Sequence, residues 1–361
     1  MKAFKLIFSG GGTGGHIYPA LAIAKGIKSI KPDTNILFVG AIDKMEMKIV
    51  PKADFKIKGL WISGFQRSFS LQNLLFPFKV FISLLQSLII LFRFKPDVVI
   101  GTGGFASWPL LQVAQWLNYP TLIQEQNSFP GIANRILGKK ANRVCVAYEK
   151  MERYFPLYKL RLTGNPIRFN MLNSAITASA AKSFFGLDPQ KSTLVVIGGS
   201  LGAKRINELV AKELSFFKTH DFQILWQSGE LYFNKYKTLS CPEVVIKSFV
   251  NEMEKLYTAA DIIISRAGAG SLSELSCVGK PLILIPSPNV TANHQFHNAR
   301  VLVEKKAAFL VEECDIPKFF KITFKKLAID INLQKEMGQN LRATAKPYST
   351  NEIVKEILEL S

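Results

Sequence analysis

Apolar residues in this chain form short, nearly continuous runs that are separated by helix-length stretches of mixed polarity. Runs such as Leu194-Val195-Val196-Ile197 are typical of strands that are covered on both faces. Strands that alternate with helix-length segments predict parallel sheets with crossover helices. The predicted strands lie at 3–9, 35–39, 97–101, 121–124 and 143–147, and again at 193–197, 222–226, 243–247, 261–265 and 281–285.

The strand pattern occurs twice, so each half of the chain predicts one doubly wound, Rossmann-like domain. A length of 361 residues is right for two domains. We place the boundary in Thr163-Gly164-Asn165-Pro166, because glycine and a residue before proline both resist helix formation. The sequence therefore predicts an α/β protein whose two domains, 1–164 and 165–345, face each other across a cleft.

One apolar segment, 74–92, does not fit the strand pattern; Lys79 is its only charge, and Arg93 and Lys95 follow it. Pro77 is expected to limit its uninterrupted helix to about 15 residues, short of the roughly 20 that span a bilayer. The rest of the helix has a wide apolar face that either protein or lipid must cover. Its polar residues, which recur at helical spacing, are Lys79, Ser83, Gln86 and Ser87.

The chain carries 46 Lys and Arg against 27 Asp and Glu, a formal charge of +19 at pH 7. Such an excess indicates a polyanionic partner: nucleic acid, an anionic membrane or phosphorylated substrates. No basic stripe interleaved with aromatic residues is present, which argues against nucleic acid. The basic residues around 74–92 favour contact with anionic lipid over a buried core helix. The four cysteines are far apart in sequence and fit a reducing cytosol.

The first candidate binding motif is the turn Ser9-Gly10-Gly11-Gly12-Thr13-Gly14-Gly15-His16, between a predicted strand and a helix. Such a turn exposes backbone N–H groups at a helix N-terminus, where phosphate is favoured. The glycine spacing also fits a dinucleotide-binding fingerprint. However, the second strand ends without the carboxylate that would bind a ribose, and no P-loop lysine is present. A phosphate-bearing ligand other than a dinucleotide is the better interpretation.

Similar turns follow other predicted strands, at 101–105, 198–202 and 265–274. Ligands of such sheets bind at the carboxyl ends of the strands, so these turns are expected to face the cleft. The chain has no Asp-x-Asp pair and no clustered His or Cys ligands. The N–H groups at a helix N-terminus would hold a diphosphate and stabilise it as a leaving group. The sequence therefore predicts a reaction that needs neither a metal ion nor a cofactor.

Seven motifs follow one another in an order that resembles a single family. They are Gly11-Gly12-Thr13-Gly14-Gly15-His16, Gly103-Gly104-Phe105, Glu125-Gln126-Asn127, Thr163-Gly164-Asn165-Pro166-Ile167-Arg168, Gly198-Gly199-Ser200-Leu201-Gly202, 268–274 and His294-Gln295. Together, over nearly the whole chain, they are similar to the bacterial peptidoglycan N-acetylglucosaminyltransferases of glycosyltransferase family 28, which convert lipid I to lipid II.

The resemblance implies a GT-B fold and a peripheral protein on the cytoplasmic face of the bacterial inner membrane. The N-terminal domain would bind lipid I and the anionic leaflet through 74–92, the C-terminal domain would bind UDP-N-acetylglucosamine, and a helix in 346–361 would cross back to the N-terminal domain. Cell-wall or division proteins are left open as further partners.

The resemblance also implies two sets of binding residues. The acceptor diphosphate would contact Gly11, Gly12, Gly14, Gly15, Gly103 and Gly104. The donor would contact Thr13, Gly14, Gly15, Asn127, Arg168, Ser200, Val250, Arg266, Ala269, Gly270, Ser271, Glu274, His294 and Gln295. Within this set, Glu274 would hold the ribose and the backbone of Val250 would read uracil.

The implied reaction is an inverting displacement by the acceptor 4-hydroxyl, which needs a base and a stabilised leaving diphosphate. His16 is the first candidate base, since the ordinary imidazole pKa of about 6.5 suits neutral pH. The equal alternative is a His16 that only holds the acceptor or its own loop. Glu125 is the second candidate base.

Two positions depart from the family pattern. Gln124 stands where many members have histidine, which removes one candidate base, and His294-Gln295 stands where some members have Gln-Gln.

Two alternative functions are a UDP-N-acetylglucosamine 2-epimerase and a non-catalytic scaffold that binds lipid-linked sugar. The epimerase would need carboxylates around the sugar and no membrane contact.

Overall fold

The computed structural model describes residues 4–64, 75–167, 176–199 and 201–360. The chain divides into two compact units, which we call unit 1 (Met1–Ile167 with Tyr348–Ser361) and unit 2 (Arg168–Pro347). Each unit is built on one parallel sheet with helices packed on it. The predicted fold class is confirmed.

In its described residues, unit 1 contains seven strands, and five α-helices come before the chain enters unit 2. The strands are β1 (Lys5–Gly10), β2 (Asn35–Ala41), β3 (Lys56–Leu60), β4 (Val98–Gly103), β5 (Thr121–Glu125), β6 (Arg143–Val146) and β7 (Leu160–Leu162). The helices are α1 (Gly14–Ile30), α2 (Glu46–Ile49), α3 (Phe76–Phe94), α4 (Ser107–Trp116) and α5 (Ile132–Gly138). The sheet order is β3-β2-β1-β4-β5-β6-β7, and all pairs are parallel.

Unit 2 contains a six-stranded parallel sheet. The strands are β8 (Ser192–Ile197), β9 (Phe222–Gln227), β10 (Val244–Lys247), β11 (Ile262–Ser265), β12 (Leu282–Leu284) and β13 (Phe309–Leu310). The helices are α6 (Ala178–Phe184), α7 (Lys204–Lys212), α8 (Leu214–Lys218), α9 (Phe233–Tyr236), α10 (Met253–Ala259), α11 (Ala269–Val278), α12 (His294–Glu304), α13 (Ile316–Ile329) and α14 (Ile331–Ala343). The sheet order is β10-β9-β8-β11-β12-β13.

Each sheet separates two layers of apolar core. In unit 1, Leu6 and Phe8 of β1 pack with Ile23 of α1, whereas Ile7 packs on the other face with Leu110 of α4. Successive side chains of a strand point to opposite faces, so a continuous apolar run supplies both layers. This is why the central strands could be located from the sequence.

The ten predicted strands are present, with ends that differ from the prediction by at most two residues. Three further strands were not predicted: β3, β7 and β13. Each of them lies at the edge of its sheet. An edge strand is covered on fewer sides, so it needs no continuous apolar run; β3 alternates exposed lysines with part-buried residues, and β13 has only two residues.

The expected length limit at Pro77 is wrong, because α3 runs for 19 residues. Pro77 lies in the first turn, where a backbone N–H has no intrahelical acceptor and its loss costs nothing. Among the described residues, α3 is the one helix long and apolar enough to cross a membrane, a property that core helices of soluble proteins share.

The alternative of a buried core helix is also wrong for α3. Its polar residues Ser83 and Ser87 face the protein, and their hydroxyls donate to the helix carbonyls of Val80 and Ser83 at 2.7 Å. The opposite face is apolar and exposed. Its residues, between 43% and 57% exposed, are Phe78, Phe81, Leu85, Ile89 and Phe92.

The last helix, α15 (Ser349–Leu358), belongs to unit 1 although the chain reaches it from unit 2. Ile353, Val354 and Ile357 are fully buried in the same core cluster as α1. Glu356 adds ion pairs with Arg143 at 3.0 Å and Arg161 at 3.2 Å. Residues from the first and the last helix of the chain therefore pack together in the core of unit 1.

We expect Ile357→Ala to lower the free energy of unfolding of unit 1 by about 2–5 kcal/mol, because it removes a buried side chain and leaves a cavity. Urea unfolding of the full chain measures this. Lys355→Ala, at an exposed position of the same helix, is the matched control and should change stability by no more than about 0.5 kcal/mol. Equal unfolding of the two variants would contradict the packing of α15.

Candidate functional site

The strand order reverses once in each sheet, between β1 and β4 in unit 1 and between β8 and β11 in unit 2. At such a reversal the connections leave on opposite faces of the sheet and open a crevice at the carboxyl ends of the two strands. The glycine-rich turns follow β1 and β4 in unit 1, and β8 and β11 in unit 2. The four turns predicted to bind ligand thus lie at the two positions where open α/β sheets bind ligands.

In unit 1 the two glycine turns are in direct contact. The N–H of Gly11 donates to the carbonyl of Gly103 at 3.3 Å. Gly104 has φ +84°, and a Cβ there would lie 2.3 Å from the Gly11 carbonyl oxygen. No other residue type fits this position without moving the backbone. The predicted acceptor residues Gly11, Gly12, Gly103 and Gly104 are therefore held together, and Gly14 and Gly15 begin α1 beside them.

Glu46, which the sequence analysis missed, lies beneath the first turn. Its side chain is fully buried and accepts hydrogen bonds from the N–H groups of Gly12 at 3.1 Å and Ala41 at 3.0 Å. A Cβ on Gly11 would clash with this carboxylate. Glu46 thus determines the shape of the turn. The available signal was a lone glutamate shortly after β2, which does not distinguish a buried carboxylate from a surface one.

The His16 ring packs against the second turn. A Cβ on Gly103 would lie 3.1 Å from His16 Cδ2 and 3.3 Å from Nε2. Nδ1 lies 3.1 Å from the carbonyl oxygen of Gly11 and 3.2 Å from the Thr13 hydroxyl. Since a carbonyl can only accept, this contact assigns a proton to Nδ1, and in the neutral ring the lone pair is then on Nε2. This is the tautomer that can accept a proton through Nε2.

Glu125 ends β5 and is buried, and four N–H donors surround its carboxylate. Oε1 accepts from the backbone N–H of Asn127 at 2.9 Å and from its side chain at 3.2 Å. Oε2 accepts from Gly131 N–H at 3.2 Å and from Asn134 Nδ2 at 2.8 Å. Burial raises the pKa of Glu125, and the four hydrogen bonds only partly oppose this rise. The carboxylate organises the loop that carries Asn127.

Asn134, also missed by the sequence analysis, lies between Glu125 and the turn after β4. Its Nδ2 donates to Glu125, and a Cβ on Gly103 would lie within 3.3 Å of both Asn134 Nδ2 and His16 Nε2. Its Oδ1 is buried with no hydrogen-bond partner among the described residues. A buried unpaired acceptor is rare in folded proteins and is often found at functional sites. No signal in the sequence marks this asparagine, because its role depends on strands that are distant in the chain.

Unit 2 contains a cavity of about 420 Å³, within the range of small-molecule sites. Gly198, Gly202, Arg266 and Gln295 line it, as does Glu313, a residue that the sequence analysis missed. The Arg266 guanidinium donates to the Ile285 carbonyl at 2.9 Å and forms an ion pair with Glu313 at 2.5 Å. Gln295 Oε1 accepts from Ser287 N–H at 2.9 Å. The polar groups of the cavity are thus held by the surrounding backbone.

The N-terminus of α11 is the second feature of unit 2. Ala269, Gly270 and Ser271 form its first turn, which contains no acidic residue, and no side chain caps it at Gly268. A Cβ on Gly270 would meet nothing within 4 Å, so the backbone faces open space. One turn later Glu274 is buried and accepts a hydrogen bond from the Tyr257 hydroxyl at 3.2 Å. Free N–H groups at a helix start favour an anion.

The remaining predicted donor residues have different positions. The N–H of Val250 donates to Gln227 Oε1 at 3.0 Å. His294 begins α12 directly after Ala292 and Asn293, which both have positive φ. Arg168 and Ser200 lie outside the described residues. Thr13, Gly14, Gly15 and Asn127 are in unit 1, whereas the other described donor residues are in unit 2.

No three His, Cys, Asp or Glu side chains in the described ranges are grouped so that they could hold a metal ion.

Two doubly wound sheets with glycine turns at their reversal points match the GT-B fold, the architecture of a large class of glycosyltransferases. The crystal structure of Acinetobacter baumannii MurG matches the chain with a TM-score of 0.80 and 26% sequence identity, over 99% of each chain. The models of the glycosyltransferase family 28 N-terminal and C-terminal domains match residues 6–146 and 193–353. The chain belongs to glycosyltransferase family 28.

Two curated relatives are similar over their whole length. A Flavobacterium psychrophilum protein is 52% identical over 100% of this chain and 98% of its own length. A Christiangramia forsetii protein is 50% identical over 99% of this chain and 98% of its own length. Both are named UDP-N-acetylglucosamine--N-acetylmuramyl-(pentapeptide) pyrophosphoryl-undecaprenol N-acetylglucosamine transferase.

We expect Glu125→Gln to destabilise the protein by about 1–3 kcal/mol. In the native protein each carboxylate oxygen of Glu125 accepts two hydrogen bonds. Glutamine has one side-chain oxygen, so in either orientation its NH₂ group replaces one acceptor and leaves two N–H donors unpaired. Thermal unfolding measures the loss, and the exposed Glu152→Gln is the control. A Glu125→Gln variant as stable as Glu152→Gln would contradict the four-donor arrangement.

Proposed function

We propose that this protein transfers N-acetylglucosamine from UDP-N-acetylglucosamine to the 4-hydroxyl of the muramoyl sugar in undecaprenyl-diphospho-muramoyl-pentapeptide. The product is lipid II, the lipid-linked disaccharide of peptidoglycan synthesis. The observation that carries the proposal is the full-length similarity, at 52% identity, to a relative named for this transfer. The four glycine-rich turns, two in each unit, agree with a reaction between two diphosphate-bearing substrates.

Unit 2 is the proposed donor unit. The open first turn of α11 would hold the diphosphate and stabilise the charge that develops on UDP as it leaves, without a metal ion. Arg266 and Gln295, which line the cavity, would contact the donor. Ser200, Arg168 and His294 are proposed as donor contacts from the family resemblance alone. Glu274 would hold the ribose. Because the Val250 N–H is already bonded to Gln227, its carbonyl is the backbone group proposed to read uracil.

Unit 1 is the proposed acceptor unit, with the turns of β1 and β4 around the lipid I diphosphate. His16 is the proposed base, since its Nδ1 contact with the Gly11 carbonyl assigns the neutral tautomer whose ring lone pair is on Nε2. Glu125 is the weaker candidate, because four donors already occupy its oxygens. Its proposed role is to position Asn127, which would contact the transferred sugar.

The reaction is tested by UDP release from UDP-N-acetylglucosamine, with and without a lipid I analogue, in excess EDTA. We expect release that depends on the acceptor and does not require magnesium, and we expect His16→Gln to lower kcat at least 100-fold. A 2-epimerase would convert the donor without acceptor, and a scaffold would consume nothing. Release only after magnesium is restored would refute the metal-free proposal while leaving the transfer intact.

The exposed apolar face of α3 is the proposed contact with the inner leaflet, on the cytoplasmic side. Arg93 and Lys95 follow this face, so that their charges can meet anionic headgroups. Lys79 Nζ lies 3.2 Å from the Ser63 hydroxyl and over the Trp61 ring. A peripheral position fits an acceptor whose lipid tail stays in the bilayer. Cell-wall or division proteins remain a further predicted partner class.

We expect Phe81→Ser combined with Ile89→Ser to weaken binding to phosphatidylglycerol vesicles by roughly tenfold or more, since two exposed apolar side chains no longer enter the lipid. Activity on a water-soluble acceptor in detergent should not change. Co-sedimentation with vesicles gives the first result and UDP release gives the second. Unchanged partition of this variant would exclude α3 as a membrane contact.

A further inference from the structure

Helix α13 of unit 2 has an outer face that combines exposed apolar side chains with lysines. Phe319, Ile322 and Ile329 are 53%, 68% and 68% exposed, and Ile331 at the start of α14 is 63% exposed. We call these four residues, with Lys318 and Lys325, the α13 face. Single exposed apolar residues are common on protein surfaces, but three on one helix of 14 residues, with a fourth two residues after it, call for a partner.

The inner face of α13 holds the helix firmly on unit 2. Phe320, Phe324 and Leu327 are buried in one of the two core clusters of the sheet. The Phe324 ring packs edge-on against Phe217 at 5.0 Å and Phe222 at 5.3 Å between centroids. The outer face is therefore presented on a rigid support.

The charge on the α13 face has a single sign. From Ile316 to Ile329 the helix contains Lys318, Lys321, Lys325 and Lys326 and no acidic residue. Lys321 is paired with Glu213 at 2.9 Å, and Lys326 lies over the Phe309 ring. Lys318, Ile322, Lys325 and Ile329 follow one another at spacings of four, three and four residues, so they form one line along the exposed side. Asp315 and Asp330 lie only at the two ends.

We propose that the α13 face docks on an anionic lipid surface. Lysines interleaved with isoleucines along one line fit a bilayer interface, where the apolar side chains enter the acyl boundary and the lysine amines reach the headgroups. A protein partner would instead be expected to meet charges of both signs or an apolar centre with a polar rim. The inference goes beyond the proposed function, which gives membrane contact to α3 of unit 1 alone, and it does not depend on the reaction catalysed.

The size of the α13 face indicates a supporting contact. A helix of 14 residues is about 21 Å long, and the face offers few apolar groups. Weak membrane signals become stable when two of them act together. With α3 in unit 1 and α13 in unit 2, each unit would have its own contact with anionic lipid.

The test is co-sedimentation of the full chain with phosphatidylglycerol vesicles and with neutral phosphatidylcholine vesicles. The variants are Ile322→Ser with Ile329→Ser, and Lys318→Gln with Lys325→Gln, each alone and in the Phe81→Ser, Ile89→Ser background. We expect each pair to weaken binding to anionic vesicles by about five- to tenfold, and to remove most of the binding left in the background variant. Binding to neutral vesicles should be weak throughout.

The matched control is Leu231→Ser, an equally exposed apolar residue of unit 2 outside the α13 face, which should bind vesicles as the unsubstituted chain does. Thermal unfolding of each variant checks that the fold is retained. Unchanged vesicle binding of both α13 variants in both backgrounds would overturn the proposal. So would a dimer, detected by sedimentation velocity, that the isoleucine variant abolishes without changing vesicle binding, because the occupant would then be a second copy of the chain.

Discussion

The turns after β1 and β4 contact each other through their backbones, at a distance that leaves no room for a side chain. Gly104 would clash with the Gly11 carbonyl if it had a Cβ, and Gly11 would clash with Glu46. Because β1 and β4 are neighbours at the reversal of strand order, their turns must meet there. The shape of both turns, the position of His16 and the start of α1 all follow from this contact.

Buried carboxylates shape the loops of unit 1. Glu46 binds two backbone N–H groups beneath the first turn, and Glu125 binds four donors in the loop after β5. A buried charge is costly unless it is fully hydrogen-bonded, so each carboxylate forces the surrounding backbone into one arrangement. In unit 2 the ion pair between Arg266 and Glu313 is likewise largely buried, and both residues line the cavity.

Helices α3 and α13 are alike in one respect. One side of each helix packs on its unit, and the opposite side exposes apolar residues. In α3 the buried serines satisfy their hydroxyls within the helix, which allows the polar side to face the protein. In α13 three large apolar residues form the anchor. Under the proposed contacts with lipid and phosphate, the excess of positive charge over the whole chain is explained without nucleic acid.

The sequence by itself determined the two doubly wound domains, the central strands and the glycine turns, since continuous apolar runs and glycine clusters are local signals. The edge strands β3, β7 and β13 lack such runs, so only pairing in the sheet defines them. Tertiary structure alone decided that Glu46, Asn134 and Glu313 belong to the sites, because their partners are brought close by strand order and not by spacing. It also decided which side of α3 is buried, because a helical pattern of polar residues does not state whether its polar or its apolar side meets the protein.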